Sequence, residues 1–212
     1  MAPVQTFVFF DIATKREDNA DNCDEIKALC FLAVPRQQYL EPNNIRAPND
    51  GNQIYMEFPN NEITVEDFNT INNFINQQEK PVCIMAHNGN RFDFGILKRK
   101  FNRLNVDLAS DVLVADTMYA FHDILENRAQ GNAVRRFYWE PHPQPANGYK
   151  LHDVYTRVVT NNPVEIEPHP PQNDTYMLFR ISHALGQRFL NWADNPNRQR
   201  RFVQVQPNGI QI

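Results

Sequence analysis

The sequence predicts an α/β fold in which a mixed five-stranded sheet is flanked by helices. First, the chain has 212 residues with 42% hydrophobic content, which is enough for one buried core. Second, three apolar runs joined by short polar loops open the chain and indicate an antiparallel meander. Third, apolar runs then alternate with helical patterns, which indicates parallel strands covered by helices. Together these observations predict one domain, with no internal repeat.

The predicted strands are short apolar runs, as is typical of buried strands. They are Thr6–Phe10, Ala28–Val34, Ile54–Phe58, Val82–Ala86 and Val112–Ala115.

Helical spacing of apolar residues predicts the helices. The first begins with the capping-box-like pair Thr64 and Asp67, and further helices are expected after Asp93, over Leu151–Val159 and over Gln172–Trp192. The predicted domain spans residues 1–194. Residues 195–212 are expected to form a polar tail that is ordered only in part.

Bulk composition limits the possible function classes. Lys and Arg number 21 against 25 Asp and Glu, so the formal charge is -4. A protein that binds long double-stranded nucleic acid is usually basic, whereas a protein that binds only the end of a strand need not be. No apolar stretch approaches the ~20 residues of a membrane span, and residues 1–10 lack a signal-peptide pattern. We expect an intracellular protein, cytoplasmic or nuclear, without a membrane partner.

The stretch "FVFFDIAT" places a carboxylate directly after an apolar run. Asp11 lies beside the core, where a charge needs a cation or several hydrogen-bond donors. Two residues further along, on the same face of an extended chain, a metal site would have a second acid. The sequence has Ala13 there.

The stretch "AHNGNRFDF" follows another buried run and is rich in turn residues. Its Asp93 has two interpretations. It is the N-cap of the helix that follows, or it is a ligand in a larger site.

The stretch "HPPQNDTYMLFRISHAL" places a carboxylate on an apolar helix face. Asp174 shares that face with Leu178, Ile181 and Leu185, and a core-facing carboxylate indicates a partner such as a metal or an Arg. His169 precedes it by five residues. On its own, His169 is interpreted as an exposed loop histidine, and each of the three stretches taken alone favours a structural role.

Taken in order, "TFVFFDIAT", "AHNGNRFDF", "YKLHDVYTR" and His169-x4-Asp174 resemble the motifs of the DEDDh class of 3′–5′ exonucleases. Within that class the chain is most similar to the three-prime repair exonucleases, over roughly residues 4–192. The resemblance implies an RNase H-like (DnaQ-like) fold. It also implies a metal-dependent enzyme that removes nucleotides from the 3′ end of DNA, preferring single strands.

The resemblance also implies a role for each motif residue. Two Mg²⁺ ions, which Mn²⁺ can replace, would be held by Asp11, Asp93 and Asp174, at a separation of about 3.5–4 Å. His169, neutral near pH 7, would act as the general base. The family has a Glu ligand where this chain has Ala13. Either an engineered substitution has inactivated the enzyme, or the chain is a natural pseudonuclease. The retention of the other motif residues favours the first explanation.

Nucleic-acid contacts are expected around the same motifs. The backbone of Ile12, Ala13 and Thr14 would meet the 3′ end, and stacking and phosphate contacts would come from Asn88, Arg91, Phe92, Arg135 and Arg136. The aromatic residues around Arg135 and Arg136 could instead pack on the domain.

Three function classes remain open: a DNA exonuclease, an exoribonuclease of the same class, and a non-catalytic nucleic-acid-binding module. The resemblance further implies a homodimer, formed through Ile54–Phe58 as an edge strand.

Overall fold

A computed structural model describes residues 2–15, 25–40, 51–126, 148–159 and 169–207. The strands are β1 (Thr6–Thr14), β2 (Ile26–Pro35), β3 (Gln53–Glu57), β4 (Val82–Ala86), β5 (Leu113–Asp116) and β6 (Arg200–Arg201). The helices are α1 (Gln37–Leu40), α2 (Val65–Asn76), α3 (Asp93–Arg103), α4 (Thr117–Leu125), α5 (Leu151–Val158), α6 (Pro171–Leu185) and α7 (Gln187–Ala193).

The strands form one mixed sheet in the order β3-β2-β1-β4-β5-β6. β1, β2 and β3 are the predicted antiparallel meander, while β4 and β5 run parallel to β1. The predicted α/β class is confirmed. The sheet has six strands in the described residues rather than the predicted five, because Arg200 and Arg201 pair with the start of β5.

The core lies in two layers, one on each face of the sheet. Alternation along β1 sends Phe7 and Phe9 toward α6 and α7, and Val8 and Phe10 toward α2 and α3. All four side chains are fully buried. Because both faces are covered by helices, β1 reads as a continuous apolar run, as central strands of such sheets do.

Two helix predictions can be compared directly with the structure. The capping box of α2 is confirmed, since the Thr64 hydroxyl accepts from the Asp67 amide and the Asp67 carboxylate accepts from the Thr64 amide. The single helix predicted over Gln172–Trp192 is wrong. The chain breaks at Gly186, whose φ of 52° lies in the left-handed region that favours glycine, so α6 and α7 are separate helices.

The segment after Asn195 is more ordered than the sequence indicates. Residues 200–201 form β6, and Phe202 and Val205 are buried against α3 and its neighbours. The domain boundary at residue 194 remains a prediction, and this packing favours a boundary further along the chain. Within the described ranges, no helix combines the length and apolar character needed to cross a membrane.

Candidate active site

β1 continues past the predicted end at Phe10 and carries Asp11 and Ala13 into a cleft at the edge of the core. Its polar residues stay extended because they pair with β2, Asp11 opposite Cys30 and Ala13 opposite Ala28. Burial, together with the charge of Asp174, raises the pKa of Asp11 to about 7. Asp11 is therefore a carboxylate held close to a second carboxylate in a poorly solvated position.

Asp93 is the first residue of α3, and its side chain points back to the sheet. It is buried, and its Oδ1 accepts from the Ile12 amide at 3.2 Å. The N-cap position belongs to Phe92, which makes no side-chain cap bond, so the interpretation of Asp93 as the N-cap is not supported. Burial and the charge of Asp11 raise the pKa of Asp93 well above its usual range.

Asp174 and His169 enter the cleft from the start of α6. The predicted apolar face is confirmed, since Leu178, Ile181 and Leu185 are buried. The His169 backbone amide donates to Asp174 Oδ1 at 3.2 Å, and its φ of 90° is uncommon for a residue other than glycine. Burial raises the pKa of Asp174, partly offset by the amide and the charge of His169.

A cleft of about 380 Å³ brings together most of the residues predicted from the three stretches. Its walls are formed by Asp11, Ile12, Ala13, Thr14, Phe92, His169 and Asp174. Asp93 is bonded to the Ile12 amide that adjoins the cleft, whereas Asn88 and Arg91 lie in the turn before it and do not line it. Arg135 and Arg136 fall outside the described residues.

Asp11 and Asp174 in the cleft, and Asp93 beside it, suit a divalent cation in charge and in ligand type. Asp174 raises the pKa of Asp11 and Asp11 raises that of Asp93, and no salt bridge in the described part of the chain joins these three to Lys or Arg. A cation would relieve this repulsion. Among the described residues, however, no group of three or more His, Cys, Asp or Glu side chains could hold a metal ion by itself. Carboxylate oxygens are the ligands that a hard divalent cation prefers, and water can complete its coordination.

Asp116 organises the turn that leads to Asp93, a role the sequence analysis missed. It ends β5, is 1% exposed, and accepts from the amides of Asn88, Asn90 and Met118 at 2.9–3.0 Å. Burial raises its pKa to about 6, against the lowering effect of these three donors. The pattern of an apolar run ending in Asp, the same signal as at Asp11, could have identified it.

Gly89 allows the turn held by Asp116 to pack closely against the core. A Cβ at this position would lie 2.6 Å from Ala86 Cβ and 2.8 Å from the Phe94 ring, so any other residue would displace the turn.

Replacing Asp116 by Ala is expected to lower the free energy of unfolding by about 2–4 kcal/mol, because it leaves buried amides unpaired and removes the cap of α4. Urea unfolding near pH 7.5 measures the change. Asp111→Ala is the matched control, since its exposed ion pair with Lys80 contributes at most about 1 kcal/mol. If Asp116→Ala and Asp111→Ala lower the free energy of unfolding equally, Asp116 does not stabilise the turn.

His87 joins the end of β4 to the segment before α5. Its Nε2 donates to the Tyr149 carbonyl at 2.7 Å. In the neutral ring, which burial favours, Nδ1 accepts from the Thr117 hydroxyl at 3.2 Å. Burial lowers the pKa of His87 to about 4, although the Tyr149 carbonyl acts in the opposite direction.

The stability contributed by neutral His87 is expected to be complete above pH 6.5 and to be lost as pH falls toward about 4. Over that window the unfolded chain binds a proton that the folded chain does not, giving a slope of at most about 1.4 kcal/mol per pH unit. Urea unfolding of the parent chain and of His87→Gln, at several pH values, isolates this slope by difference. The cleft carboxylates titrate in both proteins, so their contribution cancels in the difference. If the difference in unfolding free energy between the two proteins does not change with pH, the assignment to His87 is wrong.

Curated relatives are named three prime repair exonucleases. Exonuclease 2 of Mus musculus is 28% identical over 143 residues, which make up 66% of this chain and 56% of the relative. Exonuclease 1 of Homo sapiens is 28% identical over 122 residues, or 57% of this chain and 35% of the relative. The chain thus spans about half the length, or less, of the relatives it matches. No protein-family model matches it.

Solved structures share the fold at low sequence identity. The zinc-bound complex of E. coli exonuclease I with single-stranded DNA matches with a TM-score of 0.54 and 16% identity, covering 89% of this chain and 42% of that one. A 3′-exonuclease structure describing recognition of a histone mRNA stem-loop matches with a TM-score of 0.56 and 7% identity, covering 93% and 70%.

The mixed sheet, its flanking helices and these matches define an RNase H-like fold of the DnaQ-like exonuclease type. This confirms the fold that the motifs predict. Within that class, the resemblance to the three-prime repair exonucleases is confirmed by the relatives of that name.

Proposed function

We propose that the chain is a metal-dependent 3′–5′ exonuclease domain for single-stranded DNA ends, whose turnover is impaired by Ala13. One observation carries the proposal: Asp11, Asp174 and His169 line one cleft, and Ala13 lines it two residues beyond Asp11. Proteins of the same fold and relatives of similar sequence bear exonuclease names. The buried free thiols of Cys30 and Cys83 suit the predicted intracellular location.

The residues of the cleft have separate roles in this proposal. Asp11, Asp93 and Asp174 would hold two Mg²⁺ ions, which would supply charge stabilisation and an activated water when bound. His169 accepts the proton of that water. Its position before α6, in an exposed segment, lets its ring approach when a nucleic acid fills the cleft.

The residues at the rim of the cleft would bind the nucleic acid in this proposal. Phe92 is 39% exposed beside Asp93, which is unusual for a large apolar side chain and suits stacking on a base. The backbone from Ile12 to Thr14 lines the same space and meets the 3′ end. Arg91, exposed in the preceding turn, and Arg135 and Arg136 contact phosphates further away.

An exoribonuclease is the second candidate, because one structure of the same fold is described with an RNA stem-loop. Fluorescence anisotropy with labelled single-stranded DNA, duplex DNA and single-stranded RNA separates the candidates without requiring turnover. Tightest binding of single-stranded DNA, weakened by Phe92→Ala, is expected. Tighter binding of RNA would favour the second candidate, and binding of none would contradict both.

The predicted homodimer remains a proposal, for which the position of β3 at one edge of the sheet provides support. An exposed edge is a template for pairing with a second copy. Light scattering is expected to give twice the chain mass of 24.8 kDa. A single species at the chain mass would end the proposal.

A further inference from the structure

A second cleft, of about 420 Å³, lies at the end of the sheet opposite the candidate active site. It opens where β4 and β5 begin, whereas Asp116 and the turn before Asp93 follow the ends of the same two parallel strands. Its lining includes Lys80, Pro81, Asp111, Leu113, Arg200 and Arg201. Nothing in the proposed exonuclease reaction uses these residues.

The cleft is cationic in a chain whose formal charge is -4. It holds three cations and one carboxylate. Lys80 and Asp111 form a 2.6 Å ion pair whose side chains are 44% and 56% exposed, so the pair is weak and an incoming carboxylate can compete for Lys80. Arg200 and Arg201 add positive charge from β6, the strand paired with β5, and Arg201 is exposed.

Apolar surface lies between these charges. Pro81 and Leu113 form part of the wall, and the stems of Lys and Arg extend apolar surface toward the rim. The cleft also adjoins β6, the two-residue strand that ends the sheet on this side. An edge strand beside an apolar pocket is a recurring receptor for an extended peptide. A single nucleic-acid strand held by base stacking would use aromatic surfaces, and none of the residues lining this cleft is aromatic.

We propose that this cleft binds an extended acidic segment of a partner protein, with an apolar side chain seated between Pro81 and Leu113. The acidic residues on either side of it contact Arg200, Arg201 and Lys80. Binding here is independent of turnover at the other end of the sheet.

The probe is a fluorescein-labelled peptide of alternating Asp and Leu between Gly-Ser ends, followed by anisotropy at low salt. Saturable binding is expected, and Arg201→Glu should weaken it about tenfold or more, since charge reversal at an interface both removes an attraction and adds a repulsion. Lys27→Glu, at an exposed position on β2, makes the same charge change elsewhere and should leave binding unaltered. Thermal unfolding confirms that both variants are folded; if Arg201→Glu is not, Arg201→Gln replaces it with a smaller expected loss.

Two comparison peptides test the stated chemistry. Replacing Leu by Ser in the probe should weaken binding because the apolar anchor is lost, and replacing Asp by Lys should abolish it. The proposal is overturned if the Arg201 and Lys27 variants lose affinity equally, or if the Ser peptide binds as well as the Leu peptide. It is also overturned if Arg201→Glu weakens binding of a single-stranded oligonucleotide while the acidic peptide does not bind, because the cleft would then be a nucleic-acid contact.

Discussion

Turnover of a 3′-labelled single strand is expected to rise by several orders of magnitude when Ala13 is replaced by Glu. Both ions of a two-metal site stabilise the in-line displacement, so a site that loses one carboxylate loses most of its rate. Position 13 suits the missing ligand, since it lines the cleft and lies on the same face of β1 as Asp11. Its partner on β2 is the small residue Ala28, so a longer side chain can turn into the cleft.

The same replacement is expected to change how metal affects stability. Without metal, a fourth carboxylate adds repulsion at a place where Asp174 already raises the pKa of Asp11, so Ala13→Glu should be slightly less stable than the parent. Saturating Mg²⁺ or Mn²⁺ should reverse that order, because the ion binds the folded state more tightly in the Glu variant. Thermal unfolding during a metal titration measures both effects without relying on activity.

Ala13→Gln is the matched control for this experiment. It has nearly the size of Glu but no charge, and an amide oxygen is a weaker ligand for Mg²⁺ than a carboxylate. We expect it to bind single strands like the parent and to restore little turnover. If the parent and the Glu variant bind metal equally and cleave equally, position 13 is not a ligand site and the motif alignment is wrong.

The parts of the fold that could be predicted are those in which burial and periodicity agree. β4 was predicted residue for residue because all five of its side chains are buried. The last residues of β1 were not predicted, because Asp11 and Thr14 end an apolar run while the backbone continues to pair with β2. Periodicity also continues across Gly186, whose left-handed backbone separates α6 from α7.

The sequence predicts the parts of the candidate site that are formed by unusual side chains. It does not predict the parts that depend on hydrogen bonds to backbone groups. Asp11 and Asp174 could be found because acids are unusual among apolar residues. Asp116 was overlooked because it acts on amides that are distant in sequence, at Asn88 and Asn90. The sequence around Arg200 and Arg201 is typical of a polar tail, because a two-residue strand is too short to show a hydrophobic periodicity.

Replacing Phe202 by Ala is expected to lower the free energy of unfolding by about 3–5 kcal/mol, as is typical for deleting a fully buried aromatic side chain. Phe202 is 0% exposed and lies edge-on to Phe101, with ring centroids 6.0 Å apart. Lys98 Nζ lies 5.4 Å from the centre of its ring. Its amide donates to the Val112 carbonyl at 2.8 Å, which fixes β6 against β5.

Such a loss is a large fraction of the total stability of a domain, about 5–15 kcal/mol. Val203→Ala is the control from the same turn, because Val203 is 36% exposed and its truncation should change stability by no more than about 0.5 kcal/mol. Urea unfolding compares the two variants. If residues beyond 194 formed only an appended tail, both substitutions would be neutral. A selective loss in Phe202→Ala would instead show that the sheet and its core need this segment, and that the domain extends at least to β6.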